Sequence, residues 1–260
     1  LTRPAIVFLF LMLAPSGLAA PLPCDADGAG ETTLAAIGVD GVIRLGDGRA
    51  ITLANIIWPD HLEKRARDHL VARLREATDS QRITWKPAAG PDRWGNVPAH
   101  LFLQEPDRRL PPFWLQAGIV EAGLAPAWPD PENLACWQRL VPHERVAIKK
   151  RRGYFAPRAQ ARRHRAIETD RQAHAGRPVV AMWRVANVRK WRSLVFVNFA
   201  PSFRGGPSLG LTARQVSQLG EAGLSVAEWQ GKRIIARFII GSGGLSRLRV
   251  ETPWHLGPVE

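Results

Sequence analysis

The sequence predicts a mainly β protein with packed helices, an α+β fold built as two small units joined by a basic connector. Three observations carry this expectation. Residues 42–45 and 50–54 are short alternating runs flanking Gly46-Asp47-Gly48-Arg49, which reads as strand, tight turn, strand. Residues 61–78 place Leu62, Arg65, Ala66, His69, Leu70, Ala72, Leu74 and Ala77 on one broad face, the spacing of an amphipathic helix. The C-terminal third reads as five short strands with one helix between the third and the fourth, which is the order of an OB-type barrel.

In chain order, Leu1-Thr2-Arg3 begins a basic start, and the apolar run over 4–14 is too short to span a bilayer comfortably. Residues 1–19 therefore read as a signal peptide cleaved after Gly17-Leu18-Ala19, the alternative being an N-terminal membrane anchor. No later segment is apolar enough to span, so the expected mature chain is secreted or periplasmic and not inserted in a membrane. After the hairpin and helix, residues 82–87 read as a returning strand, and Asp92-Arg93-Trp94-Gly95-Asn96 precedes another over 98–103. A helix over 114–125 is closed by a glycine, and Cys136, Leu140 and Glu144 follow at helical spacing. The connector spans 157–176. Beyond it, strands are expected at 178–188, 191–200, 209–211, 232–240 and 245–251, with a helix at 213–222 capped by Thr212 and stopped by Gly223.

A formal net charge of +13 suggests attraction to phosphate-rich partners or acidic surfaces. Only six of the 36 basic residues are lysine, so the excess is mostly arginine, which suits bidentate phosphate contacts but also fits a G- and C-rich coding sequence. The densest cluster is Lys149-Lys150-Arg151-Arg152, continued by Arg158, Arg162, Arg163 and Arg165; a solvated helix end beside its dipole and a phosphate-tracking surface both fit it. The two cysteines, Cys24 and Cys136, form an even count in an exported chain, which favours a disulfide between them. The competing fate, lipidation of Cys24, is opposed by Pro21-Leu22-Pro23, where small residues are wanted.

The hairpin, the Trp94-Gly95 pair, the helix near residue 114 and the Arg152-Gly153-Tyr154-Phe155 ending together resemble the thermonuclease, or staphylococcal nuclease-like, family over residues 34–156. The resemblance implies a five-stranded OB-fold barrel of the staphylococcal nuclease type, followed by a second, smaller OB-like β-barrel at 177–260. Enzymes of that family hydrolyse phosphodiesters with a calcium ion held by carboxylates, a carboxylate that activates water, and two arginines that neutralise the phosphoryl oxygens. The matching positions here are degenerate. Val39-Asp40-Gly41-Val42 keeps no Asp-Gly-Asp, leaving Gly41 at a calcium aspartate. Anchoring on Pro59 puts Thr52 at the first arginine, Ile57 at the second calcium aspartate and Asp60 at the basic glutamate, while Asn96 stands at the second arginine. Losing one preorganised donor typically costs about a hundred- to a thousandfold in rate, so loss of both arginines and both metal carboxylates implies that calcium is not bound and the reaction is absent. Asp60, just before the helix that begins near His61, reads as an N-cap in preference to a residual base. His61 and Glu63 do not face one another on a helix, so they make no metal pair.

Binding without catalysis is the remaining expectation. Its local support is Arg189-Lys190-Trp191-Arg192 beside Phe196, Phe199, Phe203 and Arg204, because OB barrels stack bases on exposed aromatics flanked by basic side chains. The alternative is that these aromatics are core. The predicted partner is nucleic acid or another polyanion; a nuclease with a rebuilt site and an envelope-interaction module are the rival readings.

Overall fold

The computed structural model describes residues 22–59, 64–78, 83–104, 109–201, 206–241, 244–250 and 252–259. The segment expected to be a signal peptide, Asp60 to Glu63, and Phe203 and Arg204 lie outside the described residues. The fold is mixed α+β around two seven-stranded sheets.

The first sheet comprises β1 (Gly30–Thr32), β2 (Leu34–Ile37), β3 (Ile43–Leu45), β4 (Ala50–Leu53), β5 (Ile83–Pro87), β6 (Val97–Leu103) and β7 (Phe113–Trp114), with α1 (Lys64–Thr78), α2 (Leu115–Glu121) and α3 (Leu134–Lys149) outside it. The strand order is β1-β5-β6-β4-β3-β2, with β7 on β6. Only β4 and β6 run parallel, pairing Ile51 with Val97. The two ends of this path, β1 and β2, are consecutive in the chain with Thr33 alone between them. The sheet therefore curls back on itself into a nearly closed barrel, which leaves few unpaired edge groups. Ile43, Leu45, Ile51 and Leu53 are buried while Arg44 points out, the period-2 alternation that the hairpin residues encode. Leu70, Val71 and Leu74 of α1 close over the same core.

Cys24 and Cys136 form a disulfide, which sets aside lipidation of Cys24 and ties the N-terminal arm to α3. Lys86 Nζ supports the arm by donating to the carbonyls of Leu22 and Asp27, each at 3.0 Å.

Residues 157–176, expected as a connector, form α4 (Pro157–Thr169) and α5 (Arg171–His174). Pro157 opens α4 at a position where its missing N–H costs nothing, and Ile167 is buried in the second core. The second sheet contains β8 (Pro178–Arg184), β9 (Asn187–Trp191), β10 (Leu194–Asn198), β11 (Ser208–Thr212), β12 (Arg233–Gly241), β13 (Gly244–Arg249) and β14 (Leu256–Pro258), with α6 (Ala213–Glu221) between β11 and β12. The expected strand over 178–188 is broken at Val185, whose N–H donates to Lys232 O at 2.9 Å, and the chain continues as β9. Trp191, expected to open the following strand, instead closes β9 and pairs with Leu194 across a two-residue turn, because Arg192 adopts a φ of 53°.

β12 pairs with β8, β13 and β14, and the path β8-β12-β13-β11-β10-β9 repeats the order of the first sheet: β11 and β13 are the parallel pair, and the end strands β8 and β9 are again consecutive in the chain. Thr212 and Gln215 cap α6 reciprocally, and Gly223 follows it with a φ of 77°. The two sheets pack through Ala147, Tyr154 and Phe155 on one side and Val180 and Ile235 on the other; Tyr154 Oη accepts the Val180 N–H at 3.1 Å. Among the described residues no helix is long and apolar enough to cross a membrane.

Two buried histidines make the fold acid-sensitive. His100 on β6 accepts from Trp114 Nε1 at 3.3 Å, and His255 lies 4.7 Å, ring to ring, from Trp128. Burial, reinforced by Arg139 and Lys86 for His100 and by Arg237 for His255, lowers each from 6.5 to about 4. Between those values the unfolded chain binds more protons than the folded one, so stability falls as pH falls through that window. The loss approaches roughly 3 kcal/mol for each histidine at the acid end. Thermal melts between pH 7 and pH 4 should show a steep decline that His255→Gln makes shallower; a flat wild-type profile would contradict the assignment.

Candidate functional site

Among the described residues, Gly41, Thr52, Ile57 and Asn96 of the first barrel do not converge on a charged centre. Gly41, in the turn between β2 and β3, has a φ of 87°, and a Cβ there would lie 2.6 Å from Trp58 Cγ. The Trp58 indole thus fills the space beside the turn, and its Nε1 donates to Val39 O at 3.1 Å. Thr52 is half-buried on β4. Ile57 packs against the apolar cluster of Tyr154, Phe155 and Val180, with its N–H donating to Pro126 O at 3.0 Å. Asn96 is consumed locally: its backbone N–H and its Nδ2 donate to the two carboxylate oxygens of Asp92 at 2.9 and 3.1 Å, closing the loop between β5 and β6. Gly41, Thr52, Ile57 and Asn96 carry no ionisable group. Among the described residues no three His, Cys, Asp or Glu side chains gather as a metal-holding group.

The basic cluster divides. Lys149, Lys150, Arg151 and Arg152 are exposed at the end of α3 and in the turn after it, beside the negative end of the helix dipole. Arg158, Arg162 and Arg165 are exposed on α4, but Arg163 is buried, with its guanidinium 3.4 Å from the Tyr154 ring centroid and donating to Tyr154 O at 3.3 Å. Identical residue type and helical spacing did not reveal that difference.

The second sheet brings the other predicted residues together. Arg189, Lys190, Trp191 and Arg192 are all exposed on β9 and its turn, Trp191 by 58%. The Arg192 guanidinium sits 4.6 Å from the Trp191 ring centroid, and the Phe196 ring lies 6.4 Å away on β10. Arg189 pairs with Phe196 and Trp191 with Leu194, so the alternation of the sheet sets Arg189, Trp191 and Phe196 on one face. These residues line a groove of about 460 Å³ that ends at Asn198 and Pro201. Asn187 extends its floor and accepts from Asn198 Nδ2 at 2.8 Å. Sequence reasoning did not single out Asn187, although counting back by twos from Trp191 reaches it. Phe199, by contrast, belongs to the core, its ring 4.9 Å from that of Trp183. Burying Phe199 while exposing Trp191 leaves an aromatic face flanked by guanidinium and ammonium groups, which can stack a planar base and neutralise its phosphates.

No protein-family model matches this chain, and no curated protein matches it.

Proposed function

We propose that this is an exported, thermonuclease-like protein whose first, OB-type barrel has lost phosphodiester hydrolysis, and whose second, smaller OB-like barrel binds single-stranded nucleic acid. The observation that carries the reading is the exposed Trp191 between Arg189 and Arg192, on a groove with Phe196. The two sheets share one connection order, with one parallel pair in each and a helix between the fourth and fifth strands of each, which supports the OB-type reading. A disulfide suits an oxidising compartment. The replaced positions Gly41, Thr52, Ile57 and Asn96 supply neither the metal carboxylates nor the arginines that the family's chemistry needs.

The test follows cleavage and retention together, with the oxidised chain and single- and double-stranded DNA and RNA in calcium, magnesium, manganese or chelator. Retention of single strands without cleavage is expected. Metal-dependent cleavage abolished by Asp60→Ala would instead show a rebuilt nuclease site. Binding of any polyanion with equal affinity would reduce the groove to a charge effect, and failure to bind any would favour an envelope partner. Trp191→Ala should weaken oligonucleotide binding by roughly 5- to 150-fold, the range of one base stack. Arg189→Ala should weaken all sequences alike and lower the slope of log affinity against log salt by about one. Unchanged binding in Trp191→Ala would remove the groove from the interface.

A further inference from the structure

Between the two sheets lies a cavity of about 190 Å³ that the β9–β10 groove does not use. Its walls are mainly apolar: Ile57 and Trp58 from the loop after β4, Ile167 on α4, Val179 on β8 and Ile240 on β12. Four basic side chains interrupt this lining. Arg162 and Arg163 come from α4, His174 ends α5, and Arg177 precedes β8. Among the described residues no carboxylate lines the cavity.

His174 supplies the second, independent sign of a ligand. It is only 3% exposed, and its Nδ1 has no hydrogen-bond partner. A buried polar atom is ordinarily completed by something, and His174 Nδ1 is left to be completed in a residue that lines this cavity. Arg163 is anchored on Tyr154 and so presents a fixed positive charge in this wall, while Arg162 beside it is exposed. An apolar chamber with few convergent polar groups is the usual construction of a small-molecule site. Apolar cavities of about 150 Å³ admit a benzene-sized guest, so this one has room for a ring and a small head group.

We propose that this cavity binds a small organic oxyanion, an apolar body carrying one carboxylate or phosphate group. The apolar body lies against Trp58 and Ile240, and the oxyanion accepts from His174 Nδ1 and Arg162. The site uses elements from both sheets and the helices between them, and it does not depend on nucleic-acid binding at Trp191.

The test titrates the full oxidised chain with phenyl phosphate, phenylacetate and the neutral benzyl alcohol, by calorimetry and thermal shift. At least one anion should bind with a dissociation constant below about 1 mM, and at least about tenfold more tightly than benzyl alcohol. Comparing the two anions identifies the preferred head group. Ala166→Phe, which fills the cavity from α4, should abolish binding. Arg162→Ala removes an exposed side chain that the fold does not need, and should weaken the anion about tenfold while leaving benzyl alcohol unchanged. The proposal is overturned if neither anion binds with a dissociation constant below about 1 mM, or if benzyl alcohol binds within about tenfold of the anions. It also fails if Arg162→Ala, or a folded Ala166→Phe, leaves anion affinity unchanged, because the highly basic chain would then be holding the anion elsewhere on its surface.

Discussion

Glu144→Leu is expected to destabilise the folded chain by about 3–5 kcal/mol, measured as a lower urea midpoint at unchanged slope. Glu144 on α3 and Arg237 on β12 form an ion pair whose side chains are 3% and 2% exposed. Both backbone polar groups of Ala127 complete it: the N–H donates to Glu144 Oε1 at 3.0 Å, and the carbonyl accepts from Arg237 Nε at 2.9 Å. Burial pushes the Glu144 carboxyl up against the attraction of Arg237 and the Ala127 N–H, and pushes the guanidinium down against the attraction of Glu144. Removing the carboxylate leaves a guanidinium without a counter-charge between the two sheets, and that stranded charge is the source of the loss. Replacing both partners, as Glu144→Leu with Arg237→Met, removes the stranded charge and should recover part of the stability. Recovery should be incomplete, because the two Ala127 groups lose their partners at about 1–3 kcal/mol each. A Glu144→Leu midpoint equal to that of the wild type would show that solvent reaches the pair.

Removing the disulfide is the second large effect. Cys24 and Cys136 are 112 residues apart, and cross-linking a loop of that size limits the unfolded ensemble by about 4–5 kcal/mol in the chain-entropy model. At about 2–4 °C per kcal/mol for a chain of this size, Cys24→Ser with Cys136→Ser should lower Tm by roughly 10–15 °C. Reductant should reproduce that shift in the wild type and do nothing to the double variant. The arm has other ties, Lys86 to the carbonyls of Leu22 and Asp27 and an Arg139–Asp25 ion pair. The ion pair is partly exposed and worth about 0–1 kcal/mol, too little to keep the arm docked by itself. Limited proteolysis within residues 22–29 should therefore accelerate on reduction. A Tm unmoved by reductant would assign the pinning of the arm to Lys86.

Much of the local structure was legible because it depends on near neighbours. The alternation around Gly46-Asp47-Gly48 specifies a hairpin whichever sheet receives it, and the Thr212-to-Gln215 spacing specifies a helix start. Even the exposed groove was partly readable, since Arg189, Lys190, Trp191 and Arg192 are contiguous. Its shape was not: the turn falls at Arg192 and Ser193, where Arg192 takes a positive φ, and that register puts Phe196 opposite Arg189 and on the face of Trp191.

By itself, then, the sequence determined the strand and helix periods, the caps, the cysteine pairing and the absence of ionisable groups at Gly41, Thr52, Ile57 and Asn96. These follow from residue type and short-range spacing. Tertiary structure alone decided that Arg163 is buried where Arg162 is not, because the Tyr154 ring offers one guanidinium a face to lie on. It alone joined Glu144 to Arg237, 93 residues apart, and gathered apolar side chains around a cavity that His174 lines. Burial is set by what packs opposite a side chain, and for these residues the opposing surface comes from distant parts of the chain.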